Sequence, residues 1–179
     1  MSNTNFTELN TERLVLRKLE IEDAPQILFL RSDEDVNKYI KRKPMTSLKA
    51  AKQFILDRNK GISQKAIYYW GITLKENPQL IGTICFWNLS KDRTYAEIGY
   101  DLMPESQHKG IMNEAFKEVI LFGIKTLKLI KIEAYTQYKN EGSIKLLLKN
   151  KFVLQKNKRE EGFPDNRIYL LEKISSETN

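Results

Sequence analysis

The chain has 179 residues, and its 30 Lys and Arg residues against 23 Asp and Glu residues give a net charge of +7 with the single His neutral. This length is typical of one domain, and a hydrophobic fraction of 41% is enough to build a core, which argues against intrinsic disorder and against a two-domain enzyme. One Cys and one His exclude an internal disulfide and the Cys/His zinc motifs, so no metal site is expected.

No segment contains the run of about 18 uncharged apolar residues that spans a membrane, and the first residues, MSNTNFTELNTER, lack the apolar core of a signal peptide. A lone Cys also fits a reducing compartment. We therefore expect a soluble, cytoplasmic protein with no membrane partner. A basic chain can bind nucleic acid, but this one has no basic tail.

The first part of the chain predicts one strand followed by three helices. Residues 13–19, RLVLRKL, alternate apolar and basic side chains, which predicts a half-buried strand. Asp23 stands directly before Ala-Pro, a pattern that predicts an N-cap, and its helix is expected to reach about Arg31. A second short helix is expected after Asp33, and Ser47 is the predicted N-cap of a longer helix.

The middle of the chain predicts three consecutive strands and a helix. Residues 66–74 and 80–89 are rich in β-branched and aromatic residues, and the polar loop 75–79 between them predicts a hairpin. Residues 94–102 form the third strand, which Pro104 ends because proline cannot donate to a ladder. An amphipathic helix is predicted from about Gly110, because apolar residues recur there at helical spacing: Phe116, Val119, Ile120, Gly123, Ile124 and Leu127.

The last part predicts a strand at residues 131–138, a helix from about Asn140, and two strands at residues 152–156 and 167–173. Antiparallel strands come first in the chain and β-α-β units come later. This order predicts an α/β fold of the α+β kind, with one domain over residues 1–179 and a mixed, mostly antiparallel central sheet of about seven strands flanked by helices.

The segment 96–116, AEIGYDLMPESQHKGIMNEAF, carries the clearest functional signal, because a strand leads through a tight polar turn into a helix. The N–H groups at a helix start have no partner within the helix, and together with the helix dipole they attract anions. Gly110 lets the backbone approach a phosphate closely, and Lys109 adds positive charge. These residues predict a phosphate site, although they also suit a plain turn with a solvated Lys.

Gly99 interrupts an otherwise good strand pattern, which predicts a β-bulge or the close approach of another backbone. Glu97 and Asp101 share one face of this strand with Gly99. Glu97 is therefore a candidate carboxylate at a cleft, with a solvent-facing Glu as the alternative.

The run Gln107–Met112 resembles the acyl-CoA pyrophosphate loop of the Gcn5-related N-acetyltransferases (GNAT), whose pattern is Gln/Arg-x-x-Gly-x-Gly/Ala. The wider stretch AEIGYDLMPESQHKGIMNEA is similar to the branch that acetylates the amino termini of ribosomal proteins, the RimJ/RimL type. Residues 11–17 resemble the first strand of that branch. Residues 140–143, followed by KLLLKNKF, resemble its Asn-x-x-Ser helix start. The likeness covers about residues 11–173, the expected core.

The resemblance implies a GNAT fold whose sheet is splayed near Gly99 at the cofactor cleft, with acetyl-CoA as the cofactor. The loop amides would hold the pyrophosphate, the main chain of residues 102–103 would pair with the pantetheine arm, and Ser143 would lie near the sulfur. The implied cofactor-binding residues are Leu102, Met103, Gln107, His108, Lys109, Gly110, Ile111, Met112, Asn113, Asn140 and Ser143. Residues 109–151 carry a net charge of +5, which we expect to favour this anionic cofactor.

Three positions depart from the family pattern. Many members carry a general-acid Tyr seven residues after the Asn, where this chain has Leu147, so Ser143 or a water is expected to protonate the leaving thiolate. The last Gly of the loop pattern is Met112. The Gly of the family's Lys-x-Gly-Phe stretch is Lys151.

The implied reaction is direct attack of a primary amine on the thioester carbonyl within a ternary complex. Glu97 is the candidate base, because a protonated amine is no nucleophile. A strand-edge N–H near Tyr100 or Asp101 is the candidate oxyanion donor. Trp87 and Tyr135 are candidate acceptor-binding residues, although core packing is expected for at least two of Trp87, Tyr135 and Tyr138.

The acceptor stays open between a protein amino terminus, such as that of a ribosomal protein, and a small amine, such as a polyamine or an aminoglycoside. Acidic residues in 157–166 suit a cationic acceptor and Lys41–Lys43 suit an acidic one, so charge does not decide. A basic RNA- or ribosome-binding module is the alternative from another class. Core packing explains the aromatic runs better, so a nucleic-acid partner is not expected. Monomer and dimer both remain open.

Overall fold

The computed structural model describes residues 6–173, and this range contains one open sheet of eight strands with helices on both faces. The sheet is mixed and mostly antiparallel. In chain order the elements are β1 Leu9–Asn10, β2 Leu14–Arg17, α1 Ala24–Ser32, α2 Glu34–Asn37, α3 Leu48–Ser63, β3 Tyr68–Leu74, β4 Asn77–Trp87, β5 Tyr95–Leu102, α4 Ile111–Lys125, β6 Lys131–Gln137, α5 Glu141–Lys149, β7 Val153–Leu154 and β8 Asn166–Glu172. The strand order is β1-β2-β3-β4-β5-β6-β8-β7.

The predicted order of elements is confirmed, with two changes to the sheet. The eighth strand is β1, a two-residue strand that pairs with β2 and is too short to show a sequence period. The second strand of the hairpin begins at Asn77, because the turn after β3 needs only two residues. No helix in residues 6–173 is long and apolar enough to cross a membrane.

Three of the five α-helices in residues 6–173 start at a side-chain cap, and one of these caps is Asp33, whose carboxylate accepts a hydrogen bond from the N–H of Val36 at the start of α2. Ser47 and Asn140 act as N-caps, since the Ser47 side chain accepts a hydrogen bond from the N–H of Ala50 and the Asn140 side chain accepts one from the N–H of Ser143. Asp23 is the N-cap residue of α1, as predicted, but its side chain makes no capping hydrogen bond. Its buried carboxylate instead accepts two hydrogen bonds from Arg17, both of 2.8 Å.

The two faces of the sheet carry separate cores. The apolar stripe of α4 packs on one face together with α5, and Phe116 and Leu147 are fully buried there. Helices α1 and α3 pack on the other face, where Ile27 and Ile55 are buried. The sheet is therefore the middle of three layers, and a slot through it would connect its two faces.

Such a slot opens between β5 and β6. These strands are parallel neighbours, but they pair only from Tyr95 opposite Lys131 to Glu97 opposite Glu133. Beyond that point β5 continues to Leu102 and β6 continues to Gln137 without pairing with each other. The expected splay is present at this position. The expected bulge at Gly99 was wrong, because β4 and β5 keep one continuous register from Gly82 opposite Leu102 to Trp87 opposite Glu97.

Candidate functional site

Two chambers meet at the splay. The first, which we call the loop chamber, has a volume of about 520 Å³ and lies against the turn before α4. The second, the carboxylate chamber, has a volume of about 500 Å³ and lies on the face of the sheet that carries α1 and α3. Both are lined by Ile40, Tyr100, Asp101, Asn140 and Ser143, so their boundary is where molecules bound in the two chambers would touch.

The loop chamber contains the start of α4. Gly110 precedes the helix at φ 76°, a left-handed conformation that Gly adopts without steric cost, and His108 is left-handed as well at φ 60°. This backbone turns the chain abruptly, so the N–H groups of Ile111, Met112 and Asn113 begin the helix at the chamber wall. The N–H of Glu114 already donates to the carbonyl of Gly110, at 3.0 Å. The first-turn amides and the helix dipole together favour an anion here.

Arg13 on the neighbouring segment fixes this helix start. Its Nε donates to the Glu114 carboxylate at 2.7 Å and its Nη1 donates to the carbonyl of Lys109 at 3.1 Å. Thr11 Oγ1 also donates to Glu114, at 2.6 Å. Desolvation raises the pKa of Glu114, but these hydrogen bonds and the Arg13 charge outweigh it, so the pKa is lowered and the carboxylate stays ionised.

The free edge of β5 forms another wall of the loop chamber. The N–H of Met103 donates to the carbonyl of Ile81 on β4 at 2.8 Å. Because antiparallel ladder bonds alternate, the main-chain groups of Leu102 and Tyr100 point the other way, into the splay. Gln107 Nε2 donates a hydrogen bond of 3.0 Å to the Leu102 carbonyl, and the Tyr100 N–H faces the slot.

Two Asn side chains beside the loop chamber each use the amide oxygen, but not the NH₂ group, in hydrogen bonds within residues 6–173. Asn113 Oδ1 accepts from Asn150 Nδ2 at 3.1 Å, and Asn140 Oδ1 accepts from the Ser143 N–H at 3.1 Å. Each of these residues, Asn113 and Asn140, therefore retains an NH₂ group as a donor for an acceptor atom in the chamber.

The structure places nine of the eleven predicted cofactor residues on the walls of the loop chamber, and Met103 and Lys109 are the exceptions. Met103 is buried in the core under α1 and α3, and its N–H is already bonded to β4, so the expected pairing of this residue with an added strand was wrong. Lys145 is the one Lys among the residues that line the loop chamber. The chamber is therefore positive mainly through backbone N–H groups, and the net charge of +5 on residues 109–151 lies mostly elsewhere.

A hydroxyl pair stands at the boundary between the chambers. Tyr100 OH and Ser143 Oγ are 2.7 Å apart, and the Tyr100 ring packs edge-on against Phe116. Burial raises the pKa of Tyr100 to about 12, so this phenol keeps its proton at neutral pH. Leu147, at the position of the family's Tyr, is fully buried in the core and does not reach the chamber. The sequence pointed to the Tyr100 main chain and missed its side chain, because only the fold brings it next to Ser143.

Glu97 lines the carboxylate chamber and is 7% exposed, so the solvent-facing alternative does not apply. Asn88 Nδ2 donates to its Oε1 at 2.6 Å, and Tyr95 OH lies 3.3 Å from the same oxygen. Burial raises the pKa of Glu97, and the adjacent Glu133 raises it further, against the lowering effect of the two hydrogen bonds. Oε2 of Glu97 is left to face the chamber.

Glu133 sits beside Glu97 in the parallel register but titrates in the opposite direction. Lys158 Nζ lies 2.7 Å from its Oε1, and Tyr135 OH donates to its Oε2 at 3.0 Å. Burial raises the pKa of Glu133, but the contacts with Lys158, Tyr135 and Tyr95 outweigh it and lower the pKa. Glu133 therefore holds the charge, and Glu97 is the member of the pair that takes up a proton.

The predicted acceptor residues Trp87 and Tyr135 both line the carboxylate chamber. Trp87 is 48% exposed and Tyr138 is 46% exposed, so the expectation that at least two of Trp87, Tyr135 and Tyr138 pack in the core was wrong. Of the other aromatics that motivated an RNA-binding alternative, Tyr69, Trp70 and Phe86 are buried, and Tyr68 is partly buried against the core. They are therefore not available as a stacking surface.

Three arginines, Arg31, Arg42 and Arg58, also line the carboxylate chamber. Arg42 belongs to the Lys41–Lys43 segment that the sequence offered for an acidic acceptor, whereas Arg31 and Arg58 were not identified. The three arginines come from separate segments, so no local pattern marks them as a group. In residues 6–173, no group of three or more His, Cys, Asp or Glu side chains is placed to hold a metal ion.

Comparisons with known proteins agree with this geometry. The model of the acetyltransferase (GNAT) domain family matches residues 13–153. The uncharacterized N-acetyltransferase YoaA of Bacillus subtilis (strain 168) is 34% identical over 173 residues, which cover 94% of this chain and 98% of that protein. The ribosomal-protein-S5-alanine acetyltransferase of Vibrio fischeri superposes with a TM-score of 0.79 at 22% identity over 94% of this chain and 98% of its own. RimL, a ribosomal L7/L12 alpha-N-protein acetyltransferase in complex with coenzyme A, superposes with a TM-score of 0.80 at 16% identity over 93% of this chain and 98% of its own.

Proposed function

The chain belongs to the GNAT family and is an N-acetyltransferase, and we propose that it uses acetyl-CoA to acetylate a primary amine by direct transfer. The observation that carries the proposal is the meeting of two chambers at Tyr100 and Ser143. One chamber has an anion-binding helix start, and the other has a carboxylate with a raised pKa.

The residues of the loop chamber fit coenzyme A. Its pyrophosphate needs hydrogen-bond donors, and the first-turn N–H groups of α4 supply them, while Arg13 binds the nearby Glu114. A pantetheine arm has amides that need main-chain partners, and the free edge of β5 offers the groups of Tyr100 and Leu102. The NH₂ group of Asn140 is a further donor beside this arm.

When bound, acetyl-CoA would supply an activated acetyl group and leave as a thiolate. Glu97 Oε2 accepts the proton that the amine must lose, directly or through a water. The N–H of Tyr100 faces the slot and donates to an oxygen that gains negative charge there, an effect typically worth about 3 kcal/mol. Ser143 Oγ, held by Tyr100 OH, donates a proton to the leaving sulfur.

We propose a protein amino terminus, such as that of a ribosomal protein, as one acceptor class. The support is the structural likeness to two proteins whose names give ribosomal proteins as substrates. A small amine is the second candidate, because a chamber of about 500 Å³ matches the usual size of a small-molecule pocket. A lone, partly buried Cys85 with a free thiol favours a reducing compartment, so we propose that the enzyme is cytoplasmic.

The proposal is tested by two measurements on the full chain. Calorimetry with coenzyme A should show binding, and acetyl-CoA with a panel of amines, peptides and ribosomal proteins should release thiol and yield an acetylated product. Binding of coenzyme A without acetylation of any acceptor would refute the transfer reaction. RNA retention without coenzyme A binding would favour the nucleic-acid module instead.

A further inference from the structure

The carboxylate chamber has two oppositely charged ends. Glu97 and Glu160 line it at one end, beside Glu133. Asp101 lies four residues along β5 from Glu97, about 13 Å away at the usual strand rise. The three arginines gather around Asp101, since Arg42 Nη2 is 3.4 Å from its Oδ2 and the charges of Asp101, Arg42 and Arg58 all act on Arg31. The amine base is thus at one end of the chamber and a cationic cluster is at the other.

Arg42 has structural partners. Its Nε donates to Asn37 Oδ1 at 2.5 Å, and its Nη2 donates to the carbonyl of Leu30 at 2.9 Å and contacts Asp101. Asp101 also accepts a hydrogen bond of 2.6 Å from Thr83 Oγ1. The one carboxylate at this end of the chamber is therefore fully engaged by Arg42 and Thr83.

Arg31 and Arg58 have no such partners. Within residues 6–173 neither guanidinium forms an ion pair, and the buried Nε of Arg58 has no hydrogen-bond partner. Both guanidiniums stack on the ring of Phe54, with Cζ to centroid distances of 4.3 Å for Arg31 and 4.8 Å for Arg58. Phe54 thus contacts both cations at the chamber wall.

This arrangement is electrostatically incomplete. Burial and the nearby Arg42 charge lower the pKa of Arg31, in keeping with its lack of an ion-pair partner among the described residues. Stacking on one ring stabilises each cation only modestly and leaves the in-plane N–H donors unused. A guanidinium matches the geometry of a carboxylate or a phosphate, and two of them can bind the same oxyanion. Neither residue lines the loop chamber, so the missing anion does not belong to the coenzyme A site.

We propose that the acceptor carries an oxyanion, a carboxylate or a phosphate, that Arg31 and Arg58 bind while its amine faces Glu97. This inference rests on the proposed function and narrows its substrate class. Polycationic acceptors such as polyamines and aminoglycosides are then disfavoured, because a second ammonium group would meet the two unpaired guanidiniums. An anionic amine instead neutralises both ends of the chamber at once.

The test compares matched acceptors that differ in one charge. ω-Aminoalkanoates of graded length serve as carboxylate probes, aminoalkylphosphonates serve as phosphate-like probes, and the corresponding ω-amino amides serve as neutral probes. For at least one chain length, kcat/KM should favour an anionic probe over its amide by about tenfold to a hundredfold, as expected for charge-assisted hydrogen bonds. Whichever anionic probe, carboxylate or phosphonate, has the higher kcat/KM identifies the oxyanion that the chamber binds.

Arg58→Met keeps much of the apolar stem and removes the guanidinium. It should abolish the preference for the anionic probe over its amide while leaving the affinity for coenzyme A unchanged. Lys52→Met, on an exposed position of the same helix, removes the same charge and should retain the preference. Binding of the probes in calorimetry, without turnover, gives a second readout of the same preference.

Three outcomes would overturn the inference. They are equal rates and affinities for charged and neutral probes, a preference that survives Arg58→Met, and a loss of coenzyme A affinity in Arg58→Met. In each case acetyl transfer to a neutral amine by the unmodified protein would still support the proposed function. Failure of the proposed function shows itself differently, as the absence of acetyl transfer to every amine.

Discussion

Gly110→Asp tests the placement of the pyrophosphate by adding one negative charge at the start of α4. The backbone there has φ 76°, which costs a non-glycine residue about 1 kcal/mol or slightly more, although Asp and Asn tolerate it best. A Cβ on Gly110 would lie 3.5 Å from Arg13 Nη2, an ordinary van der Waals contact, so no collision adds to this cost. An acidic side chain before a helix also stabilises its first turn by about 0.5 kcal/mol or more. We expect the stability to change by no more than about 1 kcal/mol.

The effect on coenzyme A binding should be much larger. A unit charge about 5 Å from a phosphate, at an effective dielectric constant of about 20, costs about 3 kcal/mol, which weakens binding about a hundredfold. Gly110→Asn has nearly the same shape without the charge and isolates the electrostatic part. Gly162→Asp is the second control, because Gly162 is also left-handed, at φ 78°, and a Cβ there would contact nothing within 4 Å.

Calorimetry with coenzyme A measures the affinity, and thermal unfolding measures the stability of each variant. Gly110→Asp should bind far more weakly than Gly110→Asn, and the difference should shrink at high salt because ions screen the added charge. Gly162→Asp should bind normally. Equal affinities for the Asp and Asn variants at residue 110 would show that the pyrophosphate lies elsewhere.

Three further predictions follow from the boundary between the chambers and from the loop. Because Glu97 must be ionised to act as a base and its pKa is raised, kcat/KM should increase with pH in a range above the usual Glu pKa of about 4.3. Glu97→Gln should remove this increase and lower kcat/KM about a hundredfold or more. An unchanged pH profile would exclude Glu97 as the base. Ser143→Ala should lower kcat more than Tyr100→Phe, which removes one hydrogen bond worth about 1 kcal/mol. Because the pKa of Tyr100 is raised to about 12, its ionisation should cause no loss of activity below about pH 10. An equal effect of both variants on KM alone would contradict the role of Ser143 as a proton donor. Because its folded-state pKa is lowered, Glu114 stabilises the fold above its unfolded pKa of about 4.3, and this stabilisation is lost as the pH falls through the folded-state pKa. In Glu114→Gln, the unfolding temperature should therefore decrease less at acidic pH. An unchanged pH dependence of the unfolding temperature would contradict this prediction.

Local patterns predicted the elements well. The α4 stripe and the N-caps Ser47 and Asn140 depend on residues within a few positions of each other, so the sequence shows them directly. The loop from Gln107 to Gly110 was identified for the same reason, because strand, turn and helix are consecutive. The site residues that line the chambers therefore come mostly from one continuous segment and one helix start.

Two of the errors arise where a partner on another element decides the role of a residue. Asp23 looks like a helix cap, but Arg17 offers its carboxylate two hydrogen bonds and a charge. Met103 was expected to offer its main chain to the cofactor at the free edge of β5. Because Gly82 is opposite Leu102 in the register of β4 and β5, the N–H of Met103 faces β4 instead. A register is a property of two strands, and one strand alone does not show which of its N–H groups face outward.

The net charge of +7 illustrates the same limit in electrostatic terms. A count of lysines suggested a positive cofactor site, yet most of those lysines lie away from the loop chamber, where salt screens them within about 8 Å. Charges that a buried wall shields from water interact more strongly, and in the carboxylate chamber these include Glu97 at one end and Arg31 and Arg58 at the other. Surface charge therefore governs how fast anionic ligands approach, whereas we expect the shielded charges of the carboxylate chamber to govern which acceptor binds.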